Sequence, residues 1–459
     1  MKDNINLVNS GSTERQYNEA VSYIDAAGQF LPGTGVSRAE KMLELLGHPE
    51  SRLKIIHVAG SNGKGSVCAY LERILRENGY TTGMFISPHL EDERERIQVN
   101  GEPVCMEDFV RAFSEIRAVQ DRLGKDSLAY FDFYFGMALL IFLRREVDFC
   151  IIETGLGGRL DATNAVRNPL LTVIATISLE HTAVLGDTIE KIAGEKAGII
   201  KPGVPVVFLE RVDESFGVIK GAAENNRSEA FGVSQEDYAV IKNCGKRIDF
   251  SLSNGYYKND CFSIGTGAVY QVENCALALT AAAVMEKHGY IRLSEEPVHA
   301  AVSAVCWQGR MEEILPFVYV DGAHNPEGID ALIKSVPSIA GNRRRILMFS
   351  AVNDKDYDKM IKRLCECGEF DEFVVTQIEG RRKLCDTQIY KVFDKYTGQP
   401  VTDYKDVCKA FDGACELRRK SGGVLFCTGS LYMVGEIKKY AENRLYLSGL
   451  FSVCGEGGV

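Results

Sequence analysis

Residues 58–66 read Val58-Ala59-Gly60-Ser61-Asn62-Gly63-Lys64-Gly65-Ser66. The apolar run Leu53–Ala59 leads into this stretch as a buried strand would. Val67–Asn78 leaves it with Leu71, Ile74 and Leu75 at helical spacing. The glycines let the backbone turn sharply and present N–H groups inward. The helix start adds amides and a partial positive charge, Lys64 a mobile cation and Ser66 a hydroxyl. Gly60, Asn62, Gly63, Lys64, Gly65 and Ser66 together predict a cradle for nucleotide phosphates. The strict phosphate-loop pattern has Lys directly before Ser or Thr, whereas here Gly65 intervenes. The alternative is a plain glycine-rich turn with a surface lysine, which leaves the combination of residues unexplained.

Outward from this loop, strand-like runs at Leu53–Ala59, Thr82–Ile86, Phe149–Glu153, Leu171–Ile177 and Val204–Leu209 alternate with helical stretches such as Glu107–Leu123 and Phe131–Arg145. That alternation predicts βαβ units and a parallel sheet. Residues 211–270 are polar and broken by turns, and predict a small antiparallel subdomain; helical spacing returns at Gln271–His288. A second series follows at Val318–Val320, Arg345–Phe349, Glu372–Gln377 and Gly423–Thr428. The fold class is therefore α/β: a P-loop-type parallel-sheet domain with a small antiparallel subdomain over residues 1–308, then a smaller Rossmann-like α/β domain over 309–459. The glycine-rich end, Ser448–Val459, is expected to fray.

At 459 residues the chain exceeds one ordinary core, so two or three domains are expected. A net charge of −10 argues against a general nucleic-acid binder. The basic clusters Arg343–Arg345 and Arg381–Lys383 read as solvated patches before they read as sites. The longest apolar run, Phe133–Leu143, is too short to cross a membrane and reads as a buried helix segment. Met1–Asn9 lacks the pattern of a secretory signal. The 14 scattered cysteines form no paired metal motif and fit free thiols in a reducing cytoplasm.

Three further segments fall just past predicted strand ends, where parallel sheets build their sites. Ser87-Pro88-His89-Leu90 follows Thr82–Ile86, and Ser178-Leu179-Glu180-His181-Thr182 follows Leu171–Ile177. Glu153-Thr154-Gly155-Leu156-Gly157-Gly158-Arg159-Leu160-Asp161-Ala162-Thr163-Asn164 closes the strand at Phe149. A carboxylate such as Glu153 beside a phosphate loop is placed to hold Mg²⁺; a loop cap is the alternative. A lone histidine such as His181 is more often structural than a ligand. If the strands are neighbours, Ser66, Ser87, Glu153 and His181 converge above one sheet edge.

These motifs occur in order with Gly194-Glu195-Lys196-Ala197-Gly198-Ile199, Trp307-Gln308-Gly309-Arg310-Met311-Glu312 and Asp321-Gly322-Ala323-His324-Asn325-Pro326. From about Val36 to Lys439 the chain resembles the folylpolyglutamate synthase and dihydrofolate synthase family of the Mur ligase superfamily. The resemblance implies an ATPase-type domain and an ATP-dependent amide ligase. Its substrates would be ATP, L-glutamate and a reduced folate or dihydropteroate. It implies Mg²⁺ at Ser87, Glu153 and His181, and a carbamylated Lys196 helping to place a second Mg²⁺. It assigns Asn274, Arg310, Asp321 and His324 to ATP, and makes Lys64, Lys196 and His181 the catalytic set. Without it, Lys196 reads as a surface helix lysine. Phe131-Asp132-Phe133 resembles a segment lining a pteridine-side pocket, with core packing the equal alternative.

The chemistry suits such groups. A folate carboxylate is a poor electrophile until ATP converts it to an acyl phosphate, which the amine of glutamate then attacks. Closure of the second domain would exclude water. The chain departs from the family pattern at Ser61 (usually Thr), Glu180 (usually Asp), Gln308 (often Pro) and Tyr270 (often His). A cytoplasmic monomer with no nucleic-acid or membrane partner is expected. The rivals are a dihydrofolate synthase alone, another Mur-type amino-acid ligase, and a non-catalytic nucleotide-binding switch or transporter ATPase.

Overall fold

The apolar run before the glycine-rich loop forms the centre of a sheet. The computed structural model describes residues 2–28, 34–124, 128–211, 213–353, 355–378, 384 and 387–447. The chain begins with α1 (Lys2–Ala26), α2 (Gly35–Leu46), β1 (Ile55–Ala59), α3 (Lys64–Glu77), β2 (Thr82–Phe85), β3 (Ile97–Val99) and β4 (Glu102–Pro103). It continues through α4 (Met106–Leu123), α5 (Tyr130–Arg144), β5 (Phe149–Glu153), β6 (Leu171–Ile174), α6 (Thr182–Leu185), α7 (Ile189–Ala197) and β7 (Val206–Leu209). Next come α8 (Glu214–Asn225), β8 (Ala230–Val233), β9 (Tyr238–Asn243), β10 (Ile248–Ser253), β11 (Lys258–Ile264), α9 (Tyr270–Lys287) and α10 (Glu295–Ala304).

The first sheet runs β4-β3-β2-β5-β1-β6-β7-β8. β2, β5, β1, β6, β7 and β8 are parallel, and β3 and β4 add an antiparallel edge. Every residue of β1, β2, β5, β6 and β7 is buried, which is why these strands read as unbroken apolar runs. On one face α1, α2, α4 and α5 bury Ile24, Met42, Phe109, Ile116, Phe135 and Phe142. Farther along the same face, α7, the turn after it and α8 bury Ile192, Ile199 and Ile219 against Ile174 and Phe208. α5 is buried nearly all round, as its apolar run predicts, and no described helix is long and apolar enough to cross a membrane.

The polar segment 211–270 is only partly a separate subdomain. Its first part forms α8 and β8, which extend the parallel sheet through pairs such as Val207↔Phe231. Ala230-Phe231-Gly232-Val233 is short and half-exposed at the sheet edge, so its strand pattern is weak. Only β9, β10 and β11 make a separate three-stranded sheet. The turns at 244–247 and 254–257 are too short for crossovers, which makes it antiparallel.

The second series comprises β12 (Glu312–Leu315), β13 (Val318–Val320), α11 (Pro326–Ala340), β14 (Arg345–Phe349), α12 (Tyr357–Glu366) and β15 (Glu372–Thr376). It ends with α13 (Gln388–Tyr396), β16 (Val401–Tyr404), α14 (Val407–Ser421), β17 (Val424–Thr428) and α15 (Leu431–Leu447). Its sheet order is β12-β13-β17-β14-β15-β16, parallel except for β12. Leu332, Val336, Leu347, Leu364 and Phe393 lie in its core. Residue contacts divide the chain into one unit of 1–241, 249–264 and 271–305 and another of 242–248, 265–270 and 306–459. Sequence patterning places a single boundary at 308/309, whereas these units interleave.

Of the basic clusters, Arg344 pairs with Glu372, Arg345 with Glu369, and Arg343 lies over the Phe317 ring, so this patch is committed to surface contacts. Arg381–Lys383 and Ser448–Val459 lie outside the described residues.

Candidate active site

β2, β5, β1 and β6 are consecutive neighbours, so the loops after them leave one carboxyl edge. The register sets Phe85 beside Ile152, Val58 beside Glu153 and Ala59 beside Ile174. Ser66, Ser87, Glu153 and His181 all follow that edge, as their spacing predicts.

The loop after β1 is built by the loop after β6. Ser61 N donates to Thr176 O at 2.6 Å, and Asn62 N to Thr176 Oγ1 at 3.2 Å. Ser61 Oγ donates to Ser178 O at 3.1 Å and accepts from Ser178 N at 3.0 Å, so serine suffices where threonine is usual. Gly63 has φ +84° and caps α3. A Cβ there would lie 2.3 Å from Asn274 Oδ1, a buried oxygen with no hydrogen-bond partner among the described residues. Asn274 Nδ2 donates to Gln271 Oε1 at 3.1 Å, and Gln271 Nε2 to Ser66 Oγ at 3.1 Å. Lys64 Nζ spans the loop, donating to Gly60 O at 2.8 Å and Ser61 O at 3.1 Å. A cradle without space for a Cβ and a lysine over it fit a phosphate group.

Gly63→Ala is expected to cost about 2 kcal/mol, from positive-φ strain and the clash with Asn274. It should also abolish ADP binding, checked by thermal unfolding and ADP titration. Parent-like binding would show that the loop tolerates a side chain.

Glu153, 4% exposed, accepts Ser87 N on Oε2 at 2.9 Å. The carboxylate and the Ser87 hydroxyl are hard oxygen donors suited to Mg²⁺. His181 has φ +45° at the start of α6 and is exposed. Among the described residues no three His, Cys, Asp or Glu side chains come together as a metal cluster. The expected set contains only two such residues, so the remaining donors would come from Ser87, a modified lysine, substrate or water.

Lys196 is not a surface lysine. It is fully buried at the end of α7, and Nζ donates to Glu180 Oε1 at 2.8 Å. Burial pushes the lysine below its usual range against the opposing pull of Glu180. Burial alone would raise Glu180, but the charges of Lys196, Lys64 and His181 and the Lys196 hydrogen bond bring it to about 2. As an amine, Lys196 is a donor and fits no cation; a carbamate would reverse its charge.

Phe131, Asp132 and Phe133 divide. Phe133 is core. Asp132 caps α5, accepting Ala129 N at 2.9 Å, and pairs with Arg38 at 2.6 Å. Phe131 alone approaches the loop after β5: a Cβ on Gly155 would lie 2.8 Å from its ring.

In the second unit, Asp321 is buried and accepts Ala323 N at 2.8 Å, Met311 N at 2.9 Å and the Tyr270 hydroxyl. Burial raises its carboxyl while Arg310 and these donors lower it, with burial the stronger. Arg310 NH1 donates to Gly309 O at 3.1 Å and crosses Gly322, and His324 Nδ1 donates to Gly322 O at 2.8 Å. Tyr270 thus spends its hydroxyl on Asp321. Gln308 accepts from Lys438 at 3.1 Å. The sequence reading missed Gln271 as the link from Ser66 to Asn274, although its i, i+3 spacing on α9 was the available signal.

Comparison with known proteins gives the class first. Residues 58–282 match the Mur ligase middle domain, and 309–431 the Mur ligase, glutamate ligase domain. The Bacillus subtilis dihydrofolate synthase/folylpolyglutamate synthase is 36% identical over 92% of this chain and 98% of its own length. The Lacticaseibacillus casei folylpolyglutamate synthase is 28% identical over 92% of this chain and 98% of its own. The solved Mycobacterium tuberculosis folylpolyglutamate synthase complexed with ADP has a TM-score of 0.84 and 27% identity, covering 94% of this chain and 99% of that one. This chain belongs to the folylpolyglutamate synthase/dihydrofolate synthase family of Mur ligases.

Proposed function

We infer that this protein is an ATP-dependent ligase that adds L-glutamate to folates through an acyl-phosphate intermediate. One observation carries the reading: the phosphate-type loop after β1 lies beside the buried carboxylate ending β5, in a chain spanning 98% of a relative that bears both synthase names. Dihydropteroate is included as an acceptor on the strength of that double name.

In this reading the amides of residues 60–66 and Lys64 hold the phosphates and offset charge as the terminal phosphoryl group passes to the folate carboxylate. Ser87, Glu153 and His181 would hold Mg²⁺, which neutralises phosphate charge when bound. Lys196 acts as a carbamate; the support is its full burial, which pushes the amine toward the neutral form that takes up carbon dioxide, against the opposing pull of Glu180. Asn274, Arg310, Asp321 and His324 are assigned to the nucleotide. The described cysteines are all free thiols, which supports a reducing cytoplasm, and we propose a monomer.

The test is ADP release measured with each substrate omitted in turn. Release should require both a folate and glutamate, with tetrahydrofolate and dihydropteroate each serving as acceptor. Release independent of glutamate would reject the ligase. Inactivity with dihydropteroate would restrict it to folylpolyglutamate synthesis.

Glu153→Gln is expected to lower kcat about a hundredfold and raise the Mg²⁺ needed for half-maximal rate, with little change in melting temperature. Glutamine still offers Ser87 N an oxygen while losing the charge a hard cation requires. Normal activity with lost thermal stability would make Glu153 a structural carboxylate.

A further inference from the structure

His57 lies within β1, wholly buried, and no step above uses it. Its Nε2 is 2.8 Å from Thr163 Oγ1, and Thr163 Oγ1 is 2.6 Å from Asp161 Oδ1. Asp161 also accepts Thr163 N on Oδ1 at 3.0 Å and Leu156 N on Oδ2 at 2.8 Å, so it is an acceptor throughout. The single Thr163 proton therefore goes to Asp161, and Thr163 Oγ1 accepts from His57 Nε2. That leaves Nδ1 as the bare nitrogen, which is buried with no partner among the described residues. Burial, helped by the Lys201 charge, pushes His57 down to about 3 and keeps the ring neutral, in agreement with one N–H.

The loop locked by this relay grips the end of α7. Arg159 N donates to Glu195 O at 2.6 Å, and Asn164 Nδ2 to Gly198 O at 3.1 Å. A Cβ on Gly158 would lie 2.6 Å from Glu195 O and 3.0 Å from Lys196 O. These contacts bracket Lys196. We infer that the relay from His57 through Thr163 to Asp161 fixes the 155–164 loop as the mould that holds Lys196 in place, so that Thr163 and Asp161 are positioning residues. The consequence for catalysis rests on the reading of Lys196 above; the positioning itself does not.

The two are separated by following reductive methylation of the Lys196 amine by peptide mass spectrometry beside kcat, in full-length protein. Lys196 should be protected in the parent and in Thr163→Ser, and modified about tenfold faster in Thr163→Val. kcat should fall about tenfold in the valine variant and return with serine. Parent-like protection in Thr163→Val overturns the proposal whatever its activity. Faster modification with parent-like kcat upholds the positioning and rejects Lys196 as a catalytic group. If the valine variant does not fold, His57→Leu breaks the relay at its other end, and parent-like protection there overturns the proposal equally.

Discussion

Lys64→Ala should reduce kcat by about a thousandfold, roughly 4 kcal/mol of transition-state stabilisation, while the protein stays folded. Among the described residues, Lys64 Nζ donates to Gly60 O and Ser61 O of its own loop, at 2.8 and 3.1 Å. Water replaces such bonds at a cost of about 1 kcal/mol, because the loop is only half-buried. The charge on the transferring phosphoryl group has no such replacement, since backbone amides carry only partial charges. The expected result is an unchanged unfolding transition, with ADP formation lost at saturating substrates. Turnover within tenfold of the parent would remove Lys64 from the phosphate site.

Lys196→Ala should be comparably inactive, but here stability and chemistry must be separated. Glu180 loses its 2.8 Å partner, and a carboxylate left unpaired in a buried site costs about 3–5 kcal/mol. The variant is therefore paired with Lys196→Ala/Glu180→Gln, which should recover most of the lost melting temperature and none of the activity. Short carboxylates such as acetate are expected to restore part of the activity of Lys196→Ala by occupying the vacated space with oxygen donors. Lys196→Arg should also fail: it keeps the positive charge, forms no stable carbamate, and is larger than a site with no exposed surface. An arginine variant with near-parent kcat would show that the position needs a cation, and the carbamate would be rejected.

Much of the carboxyl edge of the first sheet is legible because each part is local. Glycines before a helix, a serine after Phe85 and a glutamate ending an apolar strand are short-range patterns. The parallel-sheet rule then carries their loops to one edge. Less legible are elements whose character comes from neighbours. β8 and β16 are half-exposed edge strands, so Val401-Thr402-Asp403-Tyr404 shows no strong apolar signal. Asp132 and Phe131, adjacent in sequence, part company because helix capping turns one inward to Arg38 while the other faces Gly155.

The sequence by itself determined the two α/β series, the glycine-rich strand-to-helix loop with Lys64, the placing of Ser87, Glu153 and His181 just past strand ends, and the family to which their order belongs. Those properties depend on periodicity and on motifs within a few residues. Only the tertiary structure decided that Lys196 is buried against Glu180, that Asn274 closes over Gly63, and that His57 reaches Asp161 through Thr163. Each joins positions far apart in the chain. Whether such a group is paired, desolvated or solvated follows from packing between elements, which no local pattern encodes.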